Sequence, residues 1–246
     1  MSENNSLNIH NSDIPVVCRS CEARHGGICG ALEPSQLTEL SKYTSKAAHG
    51  RDMELKAAGD DENHYSNILS GVVKLTKLLP DGRQQIVGLQ FAPDFLGRPF
   101  SKNSNITAEA ATNVRVCSFP KSVLERIMKE APEMEQRLHE QHLRELDDAR
   151  DWMLTLGRKT ALEKVASFLL LIAKHIDPER EEAEREIEIE LPLKRADIAD
   201  FLGLTIETVS RQITNLRKKN IIQINDRKSV VILNMGMLEE IAEDGM

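Results

Sequence analysis

The chain has 246 residues, with 32 basic and 39 acidic side chains, a net charge of −7, four cysteines and 4% aromatics. That length supports one to three domains with real cores. Four cysteines are too few for a secreted disulfide scaffold, no run nears the roughly 18 apolar residues of a membrane span, and the net acidity argues against nucleic acid unless basic charge is gathered locally.

Residues 1–13 are polar and lack the apolar stretch of a signal peptide, so a cytoplasmic protein is expected. The next segment, CRSCEARHGGICG, holds three of the four cysteines as Cys18-x2-Cys21-x7-Cys29. In the cytosol, clustered thiols are metal ligands or redox groups more often than staples. The segment is glycine-rich and carries Arg19, Glu22, Arg24 and His25, so it is expected to stay out of any core. Glu33, Pro34 and Ser35 open a short helix reaching about Tyr43, with Leu37 and Leu40 as its apolar points.

From about residue 45 to 120 the pattern is β-rich: NILSGVVKLTKLL, PDG at 80–82, RQQIVGLQFA, PDF at 93–95, then NITAEAAT and NVRVCSFP. Val73, Leu75 and Lys77 alternate with Lys74 and Thr76 as in a half-buried strand. Pro80-Asp81-Gly82 between two such runs signals a hairpin. Several short strands at this spacing predict a small barrel or sandwich.

After Pro120 the chain turns helical. Ser122 to Glu130 is one short helix, and Pro132 opens a second that meets no further Pro or Gly until Gly157. Its stripe of Met134, Leu138, His142, Leu146, Ala149, Met153 and Leu156 advances by threes and fours, close to a coiled-coil seam. A thinly apolar helix of this length suits a two-stranded dimer contact. Asp147, Asp148 and Asp151 near the stripe would repel their symmetry mates and weaken it. Arg158 to Ile176 is amphipathic through Leu162, Val165, Phe168, Leu169 and Ile172, and DPEREEAEREIEIE reads as an acidic surface connection.

The most informative stretch follows. Lys194 to Leu202 reads as a helix with Ile198 and Ala199 inward, and Gly203 breaks it as the tight turn of a helix-turn-helix requires. Thr205 is a natural N-cap for a second helix, Ile206 to Lys219, with Ile206, Val209, Ile213 and Leu216 on its buried face. Its outer face shows Glu207, Ser210, Arg211 and Asn215, side chains that can read base edges, and ends in the basic Arg217 and Lys218. IIQI and VVIL flank Asn225 to Lys228 as a wing hairpin. Residues 193–228 hold eight basic side chains against four acidic ones, so this segment carries +4 and the remainder −11. The basic charge lies where phosphates would lie. No nucleophile–base constellation stands out and the seven histidines are scattered, so an enzyme is not expected.

These residues carry a resemblance. The chain resembles the CRP/FNR family of bacterial transcription regulators, and within it the oxygen-sensing FNR branch of the FnrL/FnrN/FixK-like kind, over nearly everything after residue 15. GLTIETVSR carries the branch's E-x-x-S-R recognition signature as Glu207, Ser210 and Arg211, and SGVVKLTKLLPDGRQQIVGLQFAPDFLG resembles its β-roll. The resemblance implies an α+β fold: an N-terminal tail and cluster loop (1–30), a cyclic-nucleotide-binding-like jelly roll, the β-roll (31–131), a long dimerisation helix (132–157) and a C-terminal winged helix-turn-helix (158–246). The dimer contact would run through Leu138, His142, Leu146, Ala149, Met153 and Leu156. No cyclic nucleotide is expected, because Gly97 is followed by Arg98 where the nucleotide binders have Glu, and no arginine precedes Thr107 and Ala108 to pair the phosphate.

In the FNR branch the sensor is a [4Fe-4S] cluster, which wants four thiolates. Cys18, Cys21 and Cys29 match the first three ligands and Cys117 the fourth. The x7 spacing departs from the enteric x5 and belongs to the FnrN/FnrL subgroup. A zinc site, Cys18-x2-Cys21-x3-His25-x3-Cys29, remains open beside it. The implied function is oxygen-dependent activation of anaerobic genes. Its implied partners are double-stranded DNA with palindromic TTGA half-sites, RNA polymerase and a second copy of the chain, with no membrane.

Overall fold

The cysteine segment is folded into regular turns, although its glycines and charged residues predict that it stays out of any core. The computed structural model describes residues 14–60, 63–99, 104–176, 186–226 and 228–243. Two single turns, α1 (Val16–Arg19) and α2 (Glu22–His25), lead into a 3₁₀ turn, Ile28–Ala31. Ala23 and Ile28 are fully buried, so the cysteine segment does add to a core. The glycines there let backbone approach backbone. A Cβ on Gly27 would lie 2.8 Å from the Ala23 carbonyl and 2.9 Å from that of Pro93. Helix α3 (Pro34–Ser41) begins with proline in its first turn, and Gln36 Oε1 accepts from the Glu33 N–H at 3.0 Å.

Strands β1 (Ser45–His49), β2 (Glu54–Lys56), β3 (His64–Ser70), β4 (Val72–Leu78), β5 (Gln84–Phe91), β6 (Phe95–Leu96), β7 (Thr107–Ala110) and β8 (Val114–Pro120) follow. They form sheets in the orders β1-β8-β3-β6 and β2-β7-β4-β5. The β-rich run NILSGVVKLTKLL spans the end of β3 and the whole of β4. Gly71 at φ +89° turns the chain between β3 and β4. The Pro80-Asp81-Gly82 hairpin is present: Leu79 and Arg83 close it at 2.8 Å, with Gly82 at φ +86°.

Helix α4 (Lys121–Glu130) precedes the long α5 (Pro132–Arg158). The chain divides into two units, Met1–Val73 with Gln90–Arg144, and Lys74–Leu89 with Glu145–Met246. Their limits differ from the expected boundaries at 131 and 157, for both the β4–β5 hairpin and the second half of α5 fall in the C-terminal unit. The first unit's core joins Tyr65, Phe95 and Phe119 to Leu124, Met128, Met134 and Leu138, with Ile28 and Leu32 from the N-terminal segment. Tyr65 and Phe95 rings lie 5.4 Å apart.

The second unit contains α6 (Ala161–Ile176), β9 (Ile187–Glu190), α7 (Arg195–Leu202), α8 (Ile206–Lys218), β10 (Ile222–Ile224), β11 (Ser229–Ile232) and α9 (Met235–Glu243). Part of the acidic connection is therefore β9, which pairs antiparallel with β11 in a sheet ordered β10-β11-β9. The alternation Ile187-Glu-Ile-Glu190 carries that strand, burying Ile189 and exposing its glutamates. The hairpin's alternation is also changed: Lys74 and Thr76, expected outward, are buried alongside Val73. Lys74 Nζ meets Asp197 Oδ1 of α7 at 2.9 Å, and Gln85 Nε2 donates to the Phe201 carbonyl at 3.1 Å. Both faces of β4 are thus covered, so polarity alone misassigns them.

Candidate functional site: a four-cysteine cavity and a basic recognition helix

Four free cysteines line one cavity in the first unit. Cys18 comes from α1, Cys21 from the link to α2, Cys29 from the 3₁₀ turn and Cys117 from β8. Val17, Leu37, Leu40 and Phe119 supply apolar wall, and Arg24, Lys46 and Asn67 supply polar atoms. His25 is exposed and is not among the lining residues. The room inside is about 20 Å³. That suits one water molecule, so a larger guest must spread the walls. Among the described residues, no three His, Cys, Asp or Glu side chains close on one point at the spacing of a single metal ion.

The thiols are electrostatically crowded. Burial, then the nearby Cys117, pushes the Cys29 thiol up to about 12, with an Asn67 hydrogen bond opposing. Cys117 is pushed up to about 11 by burial and then Cys21 and Cys18, with Lys46 and the Thr44 hydroxyl opposing. Cys18 is raised by burial and by Cys21. These thiols are neutral near pH 7 until a cation draws off their protons, the usual requirement of thiolate metal sites. Gly30 lets the loop lie against α5, because a Cβ there would run into the Arg137 guanidinium and within 2.6 Å of the Arg24 carbonyl. Arg137 also donates to the Gly27 carbonyl at 3.2 Å, so the loop between Cys21 and Cys29 is held by the long helix.

The second site is the outer face of α8. Gly203, at φ +62°, ends α7, and the Thr205 hydroxyl accepts from the Thr208 N–H at 3.2 Å to start α8. Val209, Ile213 and Leu216 are buried, which fixes the helix's rotation. Ile206, expected inward, is 46% exposed, since it precedes the first buried position of the helix. Ser210, Arg211, Gln212, Thr214, Asn215 and Lys218 line an open hollow of about 450 Å³. Glu207 and Arg217 are exposed on the same helix. Glu207 is held below the usual carboxylate range by its own backbone N–H and the Thr205 hydroxyl, so it is an anionic acceptor at neutral pH. In the wing turn, Asp226 Oδ1 accepts from the Lys228 and Ser229 N–H groups at 2.6 and 2.7 Å. Arg227 lies outside the described residues.

Along α5 the expected stripe splits. Leu138 is 3% exposed inside its own chain's core, which removes it from an intermolecular seam. His142 and Leu156 are half-buried, Leu146, Ala149 and Met153 are exposed, and Met153 reaches 73%. Leu143 and Leu154 are exposed beside them. Large apolar side chains gathered on one helix at such exposure mark an association surface.

A winged helix-turn-helix with a polar, basic recognition face, following a β-roll and a long helix, defines a DNA-binding transcription regulator. Residues 163–241 match the Crp-like helix-turn-helix domain and residues 53–131 the cyclic nucleotide-binding domain. The chain is 54% identical to a probable transcriptional activator of Rhizobium leguminosarum bv. viciae, over 92% of each. It is 35% identical to the transcriptional activator protein FnrL of Cereibacter sphaeroides, over 94% of this chain and 96% of that one. Among solved structures, FixK2 from Bradyrhizobium japonicum matches with a TM-score of 0.72 and 31% identity, over 80% of this chain and 96% of that one. The chain belongs to the CRP/FNR family, whose members are transcription regulators and not enzymes.

Proposed function

We propose that this regulator is an oxygen-responsive activator of anaerobic genes, and that Cys18, Cys21, Cys29 and Cys117 hold a [4Fe-4S] cluster. The observation that carries the reading is the convergence of four free cysteines, three from the tail and one from β8, on a single cavity. Four soft thiolates are the donor set such a cluster takes, and the crowded, apolar surroundings favour the thiolates only when metal is bound. When bound, the cluster supplies an oxygen-labile link between the tail and the sheet. His25, exposed and away from the cavity, makes a poor zinc ligand alongside these cysteines.

The chain's own residues provide the rest. The loop between Cys21 and Cys29 rests on α5 through Arg137, so ordering the loop supports the long helix. Leu146, Ala149 and Met153, flanked by His142 and Leu156, then form the seam with a second copy. Asp147, Asp148 and Asp151 keep that seam weak enough to depend on the tail. In the dimer, two α8 helices enter successive major grooves about 34 Å apart on a palindrome of TTGA half-sites. Arg211, Glu207 and Ser210 read bases, Thr205 and Asn215 flank them, and Arg217 and Lys218 meet phosphates. Surface loops of the β-roll touch RNA polymerase. The β-roll takes no cyclic nucleotide, since Thr107 accepts from the Ala58 N–H and no arginine precedes it to pair a phosphate.

Purification without air tests the reading. A brown protein with four irons and four sulfides per chain is expected, losing its colour in air, and Cys117→Ser is expected to prevent loading. A colourless protein with one zinc per chain would overturn the cluster.

A further inference from the structure

Asn67 lies at the centre of β3, only 1% exposed, and lines the cysteine cavity. It is paired in register with Cys117 of β8, which on its other side is paired with Lys46 of β1. Residues directly opposite one another in a sheet point to the same face. One rung therefore sets a cation, a thiol and an amide side by side beneath the tail. The Asn67 amide donates from Nδ2 to Cys29 Sγ at 3.2 Å. Its Oδ1 is buried with no partner among the described residues.

An asparagine with half its amide unpaired weakens the fold that contains it, and a leucine of similar size would fill the same space without that loss. The folded sheet therefore gives no reason for Asn67. The sulfur does, because an N–H donor is a poor match for a neutral thiol but a strong one for a thiolate. We infer that Asn67 is a positioning residue for the metal site, its amide N–H held against the Cys29 sulfur to orient it and stabilise its anionic form. The inference rests on the reading of the four cysteines as ligands. Outer partners of this kind govern how firmly a metal ligand holds.

The test uses the full chain loaded with iron and sulfide without air, with iron release to a ferrous chelator as one readout and thermal unfolding of the metal-free chain as the other. Asn67→Leu is expected to release iron about 10–100-fold faster while leaving the metal-free chain equally or more stable. Asn67→Thr, which keeps one donor on a strand-compatible side chain, is expected to recover part of the retention. If the wild-type chain takes up no iron, the cluster reading itself falls. If it does and Asn67→Leu releases iron at the wild-type rate, the inference falls alone. If Asn67→Leu loses iron and metal-free stability together, Asn67 is a structural residue and the inference is again wrong.

Discussion

Replacing Lys74 by methionine tests the account of the β4–β5 hairpin. The Lys74 and Asp197 side chains are 9% and 14% exposed and meet at 2.9 Å. Methionine keeps most of the stem and deletes the charge, leaving the Asp197 carboxylate among buried groups. Losing one partner of a buried ion pair costs about 3–5 kcal/mol, mostly from the charge left behind. Asp197 keeps one bond, since its Oδ2 accepts from the Lys194 N–H at 3.3 Å, so the low end, about 3 kcal/mol, is expected. At roughly 2–4 °C per kcal/mol for a chain this size, the melting point should fall by about 6–12 °C. The single tryptophan reports it directly, because Trp152 packs 4.5 Å from Phe201 of α7. The double variant Lys74→Met/Asp197→Asn removes both charges and keeps an acceptor for Lys194. It should recover about 2 kcal/mol or more, since a buried pair replaced by neutral groups is often near neutral. If the double variant melts no higher than Lys74→Met, the buried charge is not the cause and the argument fails.

Two further outcomes follow from the exposed faces. Arg211→Ala should weaken binding by about 1–3 kcal/mol per half-site and relax preference at one base pair, whereas Lys218→Ala should weaken all sequences alike and lower the salt slope by about one per chain. Competition binding on single-base variants of the site distinguishes them, and a uniform loss with Arg211→Ala would make that arginine a phosphate contact. Met153→Ala removes about 2 kcal/mol of apolar burial per chain, about 4 kcal/mol across a two-fold seam, so the dimer should dissociate nearly 10³-fold more readily. Sedimentation of the anaerobic protein measures this. Because Met153 is 73% exposed in the single chain, unchanged self-association would place the seam elsewhere.

Where local chemistry sets the structure, the sequence is easy to read. Gly203 in the left-handed region, Thr205 as a cap, and Val209, Ile213 and Leu216 at helical spacing lay out the helix-turn-helix, because each acts within a few residues of itself. The basic charge of residues 193–228 is equally visible despite the acidic whole. Failures came where a distant element decides. Lys74 and Thr76 point inward because α7 covers a face that looks solvated in isolation, and Leu138 leaves the helical stripe because it completes a core with Phe95 and Phe119. Ile187 to Glu190 alternates like a strand, but only its pairing to β11 raises it above an acidic linker.

The cysteine cavity shows the same division more sharply. Three thiols within a dozen residues announce metal or redox chemistry, yet a polar, glycine-rich tail gives no sign that Ala23 and Ile28 anchor it to a core. Only resemblance singled out Cys117, because a cysteine in a strand is more often a small core residue. Asn67 and Lys46 could not be found from the sequence at all. They reach the site through strand register, Lys46 opposite Cys117 and Cys117 opposite Asn67, and register is set by the whole sheet. The first ligands of such a site are thus written in composition and spacing. The groups that surround the ligands are written in topology, and a buried amide that serves a sulfur better than it serves its own fold is the trace they leave.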